Sequence, residues 1–504
     1  MRRLFALITL LALQCGALVA LPTLTSATAT PRPVEASLQQ LPLSAAPATD
    51  VRRAAGVATS VLSPMRRTTS FSAMGVTWRP DPAVAEVEIA FRHRSSGRWS
   101  AWESIEAEGD DAPDNGSIDT TKGLRAGSPP IWTGPSDGVQ VRVTPHDGGA
   151  TPRDVKIELV DPGTSPADTL SSGPRDQAGA LEPQPTIVTR AQWGADESIR
   201  RGSPSYTGPA RVGFVHHTAS SNSYTADQAA QMVRGIYAYH VKSNGWSDIG
   251  YNFLVDRFGR TYEGRAGGID RWVSGAHTGG FNANSFGVSL LGDFSTIPPS
   301  PATIAALSKV LAHKLGAAYR DPLAKATLTS AGGGTSRYSA GATATFDVVS
   351  GHRDAGNTSC PGATTYAMLP EIRRMVSADL GAGFADTSVS RTSFALADKG
   401  PMTLKARTLG DTSWTATVTG PDGEQLAAAS GAPGPVSLDW NLTRADGRAV
   451  PPGRYALRLT GRDGDEAALE YGRYIVVRAP SCRGTPMQKA LCSVQKRAAA
   501  RTTG

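Results

Sequence analysis

Cysteine is scarce in this chain. Four are spread over 504 residues, at positions 15, 360, 482 and 492, which excludes a small scaffold built on disulfides. Long apolar runs are missing too. The most apolar stretch, Leu4 to Leu13, falls well short of the ~20 residues that a membrane-spanning helix needs. Charge of one sign is nowhere concentrated: the net charge is only +7, and no basic stripe carries interleaved aromatics. Nucleic acid is therefore excluded as a partner, whereas a polyanionic cell surface is not. No carboxylate pair is placed as a glycosidase would need it. Glycine and proline, by contrast, are plentiful at 54 and 35, as expected of β-rich modules joined by linkers. The length exceeds what one hydrophobic core supports and implies about three domains.

The first residues read as a secretory signal. Arg2 and Arg3 precede the apolar run, and Ala27-Thr28-Ala29 offers a small-residue cleavage site. Cys15 follows Gln14, not the small residue that a lipoprotein site requires. The expected product is secreted or associated with a cell wall, with no stable membrane insertion after signal cleavage. In an oxidising compartment Cys482 and Cys492, ten positions apart, are expected to pair as a disulfide. Cys360 is then the odd thiol, protected from oxidation only by burial or by a metal.

Composition and periodicity divide the chain as follows: 1–29 signal; 30–68 propeptide or linker, rich in Ala, Pro, Ser and Thr; 69–162 a β-sandwich; 163–184 a second linker; 185–381 an α/β domain; 382–400 a transition; 401–480 a second, Ig-like β-sandwich; and 481–504 a disulfide loop with a basic tail. The alternation in Val84 to Arg92, Val139 to Val143 and Val155 to Val160 predicts strands of the first sandwich. There Trp78, Trp99 and Trp102 could stack on sugars, although core packing is the commoner use of such residues. In the central block, apolar runs at Val212 to Val215, Tyr251 to Val255 and Gly287 to Gly292 alternate with helical spacing at 226–242, 302–315 and 366–380. That succession predicts a mixed sheet flanked by helices.

The chemistry concentrates in Ser350-Gly351-His352-Arg353-Asp354-Ala355-Gly356-Asn357-Thr358-Ser359-Cys360-Pro361-Gly362. Here one loop carries an imidazole and a thiol, the two side chains that hold zinc best. A catalytic zinc site needs three protein ligands and an open fourth position. Further candidates are His216, His217, His240, His277 and His313. His216 and His217 end an apolar strand, so their side chains point to opposite faces and only one can ligate. Asp354 could orient a ligand.

Six ordered blocks resemble the peptidoglycan recognition protein and type 2 amidase family: Phe214-Val215-His216-His217-Thr218-Ala219, Gly245-Trp246-Ser247-Asp248-Ile249-Gly250-Tyr251-Asn252-Phe253, Tyr262-Glu263-Gly264-Arg265, Gly275-Ala276-His277-Thr278, Asn284-Ser285-Phe286-Gly287-Val288 and the His352 to Cys360 loop. The resemblance covers about residues 186–375. It implies a zinc-dependent N-acetylmuramoyl-L-alanine amidase, cleaving the amide between the lactyl group of N-acetylmuramic acid and L-alanine of the stem peptide. His216, His352 and Cys360 match the zinc ligands and Tyr251 the active-site tyrosine. Thr358 falls where phage amidases carry a lysine and many recognition-protein amidases a threonine. His277 lines the cleft in the family, either as a substrate contact or as a structural residue. Trp246, Asn252 and Arg265 could contact glycan or stem peptide, or hold the fold. Peptidoglycan is the implied partner, and the chain is expected to act as a monomer. The C-terminal sandwich resembles more weakly the Ig-like module of flagellar hook-capping proteins, through Asp439-Trp440-Asn441 and Pro452-Gly453-Arg454-Tyr455.

Overall fold

The computed structural model describes residues 31–43, 60–169 and 185–479, a few short internal stretches excepted. The expected signal and the expected Cys482–Cys492 pair lie outside the described residues.

The first module is one connected antiparallel sheet rather than two separate ones. Its path runs Ser37–Pro42, Lys156–Asp161, Arg66–Trp78, Ile131–Pro145, Val87–Ser95 and Arg98–Trp99. Register breaks in the long strand Arg66–Trp78, between Arg67 and Phe71 and again before Ala73, bend the sheet. It curls around Phe71, Val76, Ile89, Phe91, Val141 and Leu159. Of the three tryptophans, Trp78 is core, Trp99 is half-buried and Trp102 is exposed.

Two expected linkers carry strands instead. Ser37–Pro42, read as linker, pairs with Lys156–Asp161, and Gln40 donates to the buried Glu158. Gly383–Val389 and Ser393–Ala395, read as a transition, pair with strands of the C-terminal module. These edge strands lack clean apolar alternation and are fixed by their partners, so composition hides them.

The central domain is a mixed sheet. We label its strands β1 (Ile187–Val188), β2 (Val212–His217), β3 (Phe253–Val255), β4 (Thr261–Glu263), β5 (Ser285–Leu290) and β6 (Val349–Gly351), and its helices α1 (Ala226–Ala238), α2 (Pro301–Ala317) and α3 (Ala363–Leu380). The strand order is β1-β4-β3-β5-β2-β6, parallel except for the β3–β4 pair. α2 and α3 pack on one core with Phe214, Phe286 and Val288. α1 packs on another, which also takes in Ala73, Trp132 and Val160 of the first module. Local signals start the helices: Gln228 accepts from the Thr225 amide before α1, and Ser300 from the Thr303 amide before α2, with Pro301 at the first helical position.

The C-terminal module is a two-sheet sandwich over Phe394, Leu404, Trp414, Trp440, Tyr455 and Leu457. Trp440 and Tyr455, from the two elements that suggested an Ig-like module, meet at 5.1 Å between ring centroids. No helix among the described residues is long and apolar enough to cross a membrane.

Candidate metal centre

β2 ends at His216 and His217, and β6 leads directly into the turn His352–Asp354. Because β6 pairs in parallel with β2, the two histidines arrive side by side, with ring centroids 4.5 Å apart. The chain then turns back through Cys360. Gly362 starts α3 with φ +83°, and a side chain there would collide with the Phe294 backbone. Only glycine satisfies both conditions, and this close approach seats the Cys360 loop against the ends of the strands.

The Nδ1 or Nε2 of His216 and of His352 and the Cys360 Sγ lie within 4.8 Å of one another, and all three residues are buried. Cys360 Sγ is 3.8 Å from His216 Nδ1 and accepts from the His217 amide at 3.4 Å. Two imidazoles and a thiol are a zinc donor set, and their spacing needs only a small contraction to reach the roughly 3.5 Å between ligands of a tetrahedral zinc. Burial holds both candidate ligand histidines neutral, the form that a metal requires. It is the largest influence on His216, followed by His352, and it brings His352 down to about 3 with a smaller push from His217.

The other residues singled out in the sequence take varied places. The Tyr251 ring lies 5.5 Å from that of His216 and is almost fully buried. Thr358 Oγ1 accepts from the Cys360 amide at 2.9 Å, bracing the ligand loop. Asp354 bonds the Tyr366 hydroxyl and the Gly351 amide and so shapes the turn after β6. His277, which the resemblance puts at the cleft, is fully buried behind His216, its Nδ1 3.2 Å from His216 Nε2. Asn252 ties β5 to the Val273 segment through Gly287 N and Val273 O. The Trp246 ring packs at a tilt against that of His240, 4.5 Å between centroids. Arg265 bonds Ser247 Oγ and the Asp119 carboxylate. His217 faces the other way, its Nδ1 accepting from the Phe294 amide, and His313 pairs with Asp270 on the surface.

One member of the site escaped the sequence reading. Thr278 Oγ1 lies 2.9 Å from His277 Nδ1 and 3.4 Å from His216 Nε2. Its signal was its place directly after His277 in a short block, which spacing alone does not distinguish from loop.

The family described as N-acetylmuramoyl-L-alanine amidase matches residues 206–363, a span holding all three candidate ligands. A second family, described as Rv3811 N-terminal galactose-binding domain-like, matches residues 26–172. Among curated relatives, peptidoglycan-recognition protein SC2 of Drosophila simulans is 34% identical over 183 residues, 36% of this chain and 83% of the relative. Peptidoglycan recognition protein 1 of Bos taurus is 31% identical over 202 residues, 39% of this chain and 90% of the relative. An N-acetylmuramoyl-L-alanine amidase of Sus scrofa is 34% identical over 188 residues, 37% of this chain and 27% of the relative. With most of two such relatives aligned to it at this identity, the chain belongs to the peptidoglycan recognition protein and type 2 amidase family.

Proposed function

We propose that the protein is an exported, zinc-dependent N-acetylmuramoyl-L-alanine amidase that cleaves the amide between the lactyl group of N-acetylmuramic acid and L-alanine of the stem peptide. The observation that carries this reading is the convergence of His216, His352 and Cys360 within 4.8 Å, beside Tyr251. The relatives' names, which refer to peptidoglycan recognition and to amidase activity, support the same substrate. A binding module would have no need of a third, thiolate ligand.

When bound to this set, zinc supplies a Lewis acid for the scissile carbonyl and lowers the pKa of a water towards ~7. The chain's own groups do the rest. Cys360 contributes the anionic ligand, and its sulfur is kept near the strand ends by the His217 amide. His277 and Thr278 fix the His216 ring through Nε2, leaving Nδ1 towards the thiol. The Tyr251 hydroxyl can donate to an oxyanion developing at the carbonyl. Thr358, bonded to the Cys360 amide, holds the ligand loop, and no ammonium stands there to protonate the leaving amine.

The test measures zinc content and muropeptide products together, on wild type and on Cys360→Ala. One zinc per chain, with new L-alanine amino termini that disappear in the variant, is the expected result. Zinc-free wild type that binds peptidoglycan without releasing those termini would make the protein a recognition module.

A further inference from the structure

Two carboxylates of the N-terminal module bond residues one or two steps removed from the candidate metal centre. Asp119, almost fully buried, accepts from the Ser247 amide at 2.8 Å, from the Ser247 hydroxyl and from the Arg265 guanidinium. Arg265 is one step from the site, since its amide donates to the Tyr251 carbonyl at 2.8 Å. Buried Asp114 accepts from Gly280 N at 2.9 Å and from Asn282 Nδ2 at 2.7 Å. Asn282 Oδ1 in turn takes the His277 and Thr278 amides at 2.7 and 3.1 Å, and those two residues hold His216. The module's backbone also lies close against the central domain. Arg125 N donates to Asn244 O at 3.1 Å, and a Cβ on Gly245, whose φ is +82°, would meet Gly123 O at 2.8 Å.

We infer that the N-terminal module caps the groove, with Asp119 standing in it as an internal competitor of the substrate. This rests on the amidase reading above. Three donors converge on the Asp119 carboxylate, as a site for a free carboxylate would arrange them, and a peptide substrate bearing a carboxylate meets the same donors. His216, His352, Cys360 and Tyr251 are all at most 3% exposed, and Asp119 meets residues next to them in the structure rather than those side chains themselves. The catalytic fold does not depend on the acid. Peptidoglycan-recognition protein SC2, of which 83% is covered by 183 aligned residues, leaves little chain for such a module. A buried Asp–Arg pair gains little net free energy over its hydrated partners, so a second carboxylate can exchange with it. The cap thus lowers apparent affinity by the fraction of time that it is closed.

The experiment is calorimetric titration of the zinc-free full chain with a soluble muramoyl tripeptide, comparing wild type with Asp119→Asn and Asp119→Ala. Matched melting curves show that each variant is folded, and the near-isosteric Asn variant serves if Ala fails. The cap predicts binding tighter by about ten-fold or more in the variants. Equal or weaker binding overturns it, including the case where neither protein binds. In the zinc-loaded proteins the same gain is expected in kcat/KM. Tighter binding with no released L-alanine termini would keep the cap and reject the amidase; hydrolysis with unchanged binding would do the reverse.

Discussion

Arg234 on α1 grips Asp168, in the segment that follows the first module, through two parallel bonds of 2.7 Å, Nη1 to Oδ1 and Nη2 to Oδ2. The remaining donors of the guanidinium reach the carbonyls of Pro162, Gly163 and Trp193, so every N–H of a buried arginine is satisfied. A stretch whose composition reads as linker therefore begins as a clamp between domains.

Removing the acid should break that clamp. Asp168→Ala leaves a buried guanidinium without its counter-charge, a change that costs about 3–5 kcal/mol. Wild type should melt with its N-terminal and central domains in one calorimetric transition. The variant should show the N-terminal module separating at lower temperature. A single transition at the wild-type temperature would mean that the pair contributes nothing to coupling.

The contrast between what the sequence revealed and what it hid follows from the range of the interactions. The candidate ligand set, which the structure brings together, was legible because His216 ends an apolar strand and His352 and Cys360 share a loop, both local patterns. The alternation of Val84 to Arg92 was equally local, and the strand Val87–Ser95 takes up its part from Val87 onward. Ser37–Pro42 was hidden because its partner, Lys156–Asp161, lies more than a hundred residues away and its own residues do not alternate polar with apolar. The contacts of Asp114 and Asp119 were hidden for the same reason. Nothing near either acid marks it as a partner of Asn282 or Arg265.

Tyr251→Phe isolates the hydroxyl. The ring packs against His216 and His240 at 5.5 and 5.8 Å, contacts that phenylalanine keeps, so zinc content should be unchanged. Loss of a donor aimed at a developing oxyanion lowers kcat by about 10²–10³ with KM little altered. Unchanged turnover would remove Tyr251 from the chemistry.

His240 should give the protein an acid-sensitive term that does not depend on the metal. Its Nδ1 accepts from the Gly250 amide at 3.1 Å; burial, and then Arg265, bring its pKa down to about 3. The folded value lies below the unfolded one near 6.5, so the unfolded chain binds more protons between the two. Stability from this group is complete above about pH 6.5 and is lost as pH falls towards 3, at up to about 1.4 kcal/mol per pH unit. Urea unfolding of wild type and His240→Asn across that window should show a shallower decline in the variant. Because both retain His216, His352 and Cys360, the difference cancels the contribution of that group. Parallel declines would place the acid sensitivity elsewhere.

His277→Ala separates a residue that positions a ligand from one that binds substrate. With its Nδ1 3.2 Å from His216 Nε2 and its ring fully buried, His277 is placed to act on a bound metal through the orientation and basicity of His216. Loss of such a partner typically weakens metal binding by about 10–100-fold. Competition with a zinc chelator should show that loss in His277→Ala, while the zinc-free variant binds a soluble muramoyl peptide as wild type does. Unaltered zinc affinity with weakened peptide binding would instead return His277 to the substrate side of the cleft. His277→Gln, which offers Nε2–H or Oε1 near the same position, should recover part of the affinity, since the interaction needs a polar atom facing His216 rather than a titratable ring.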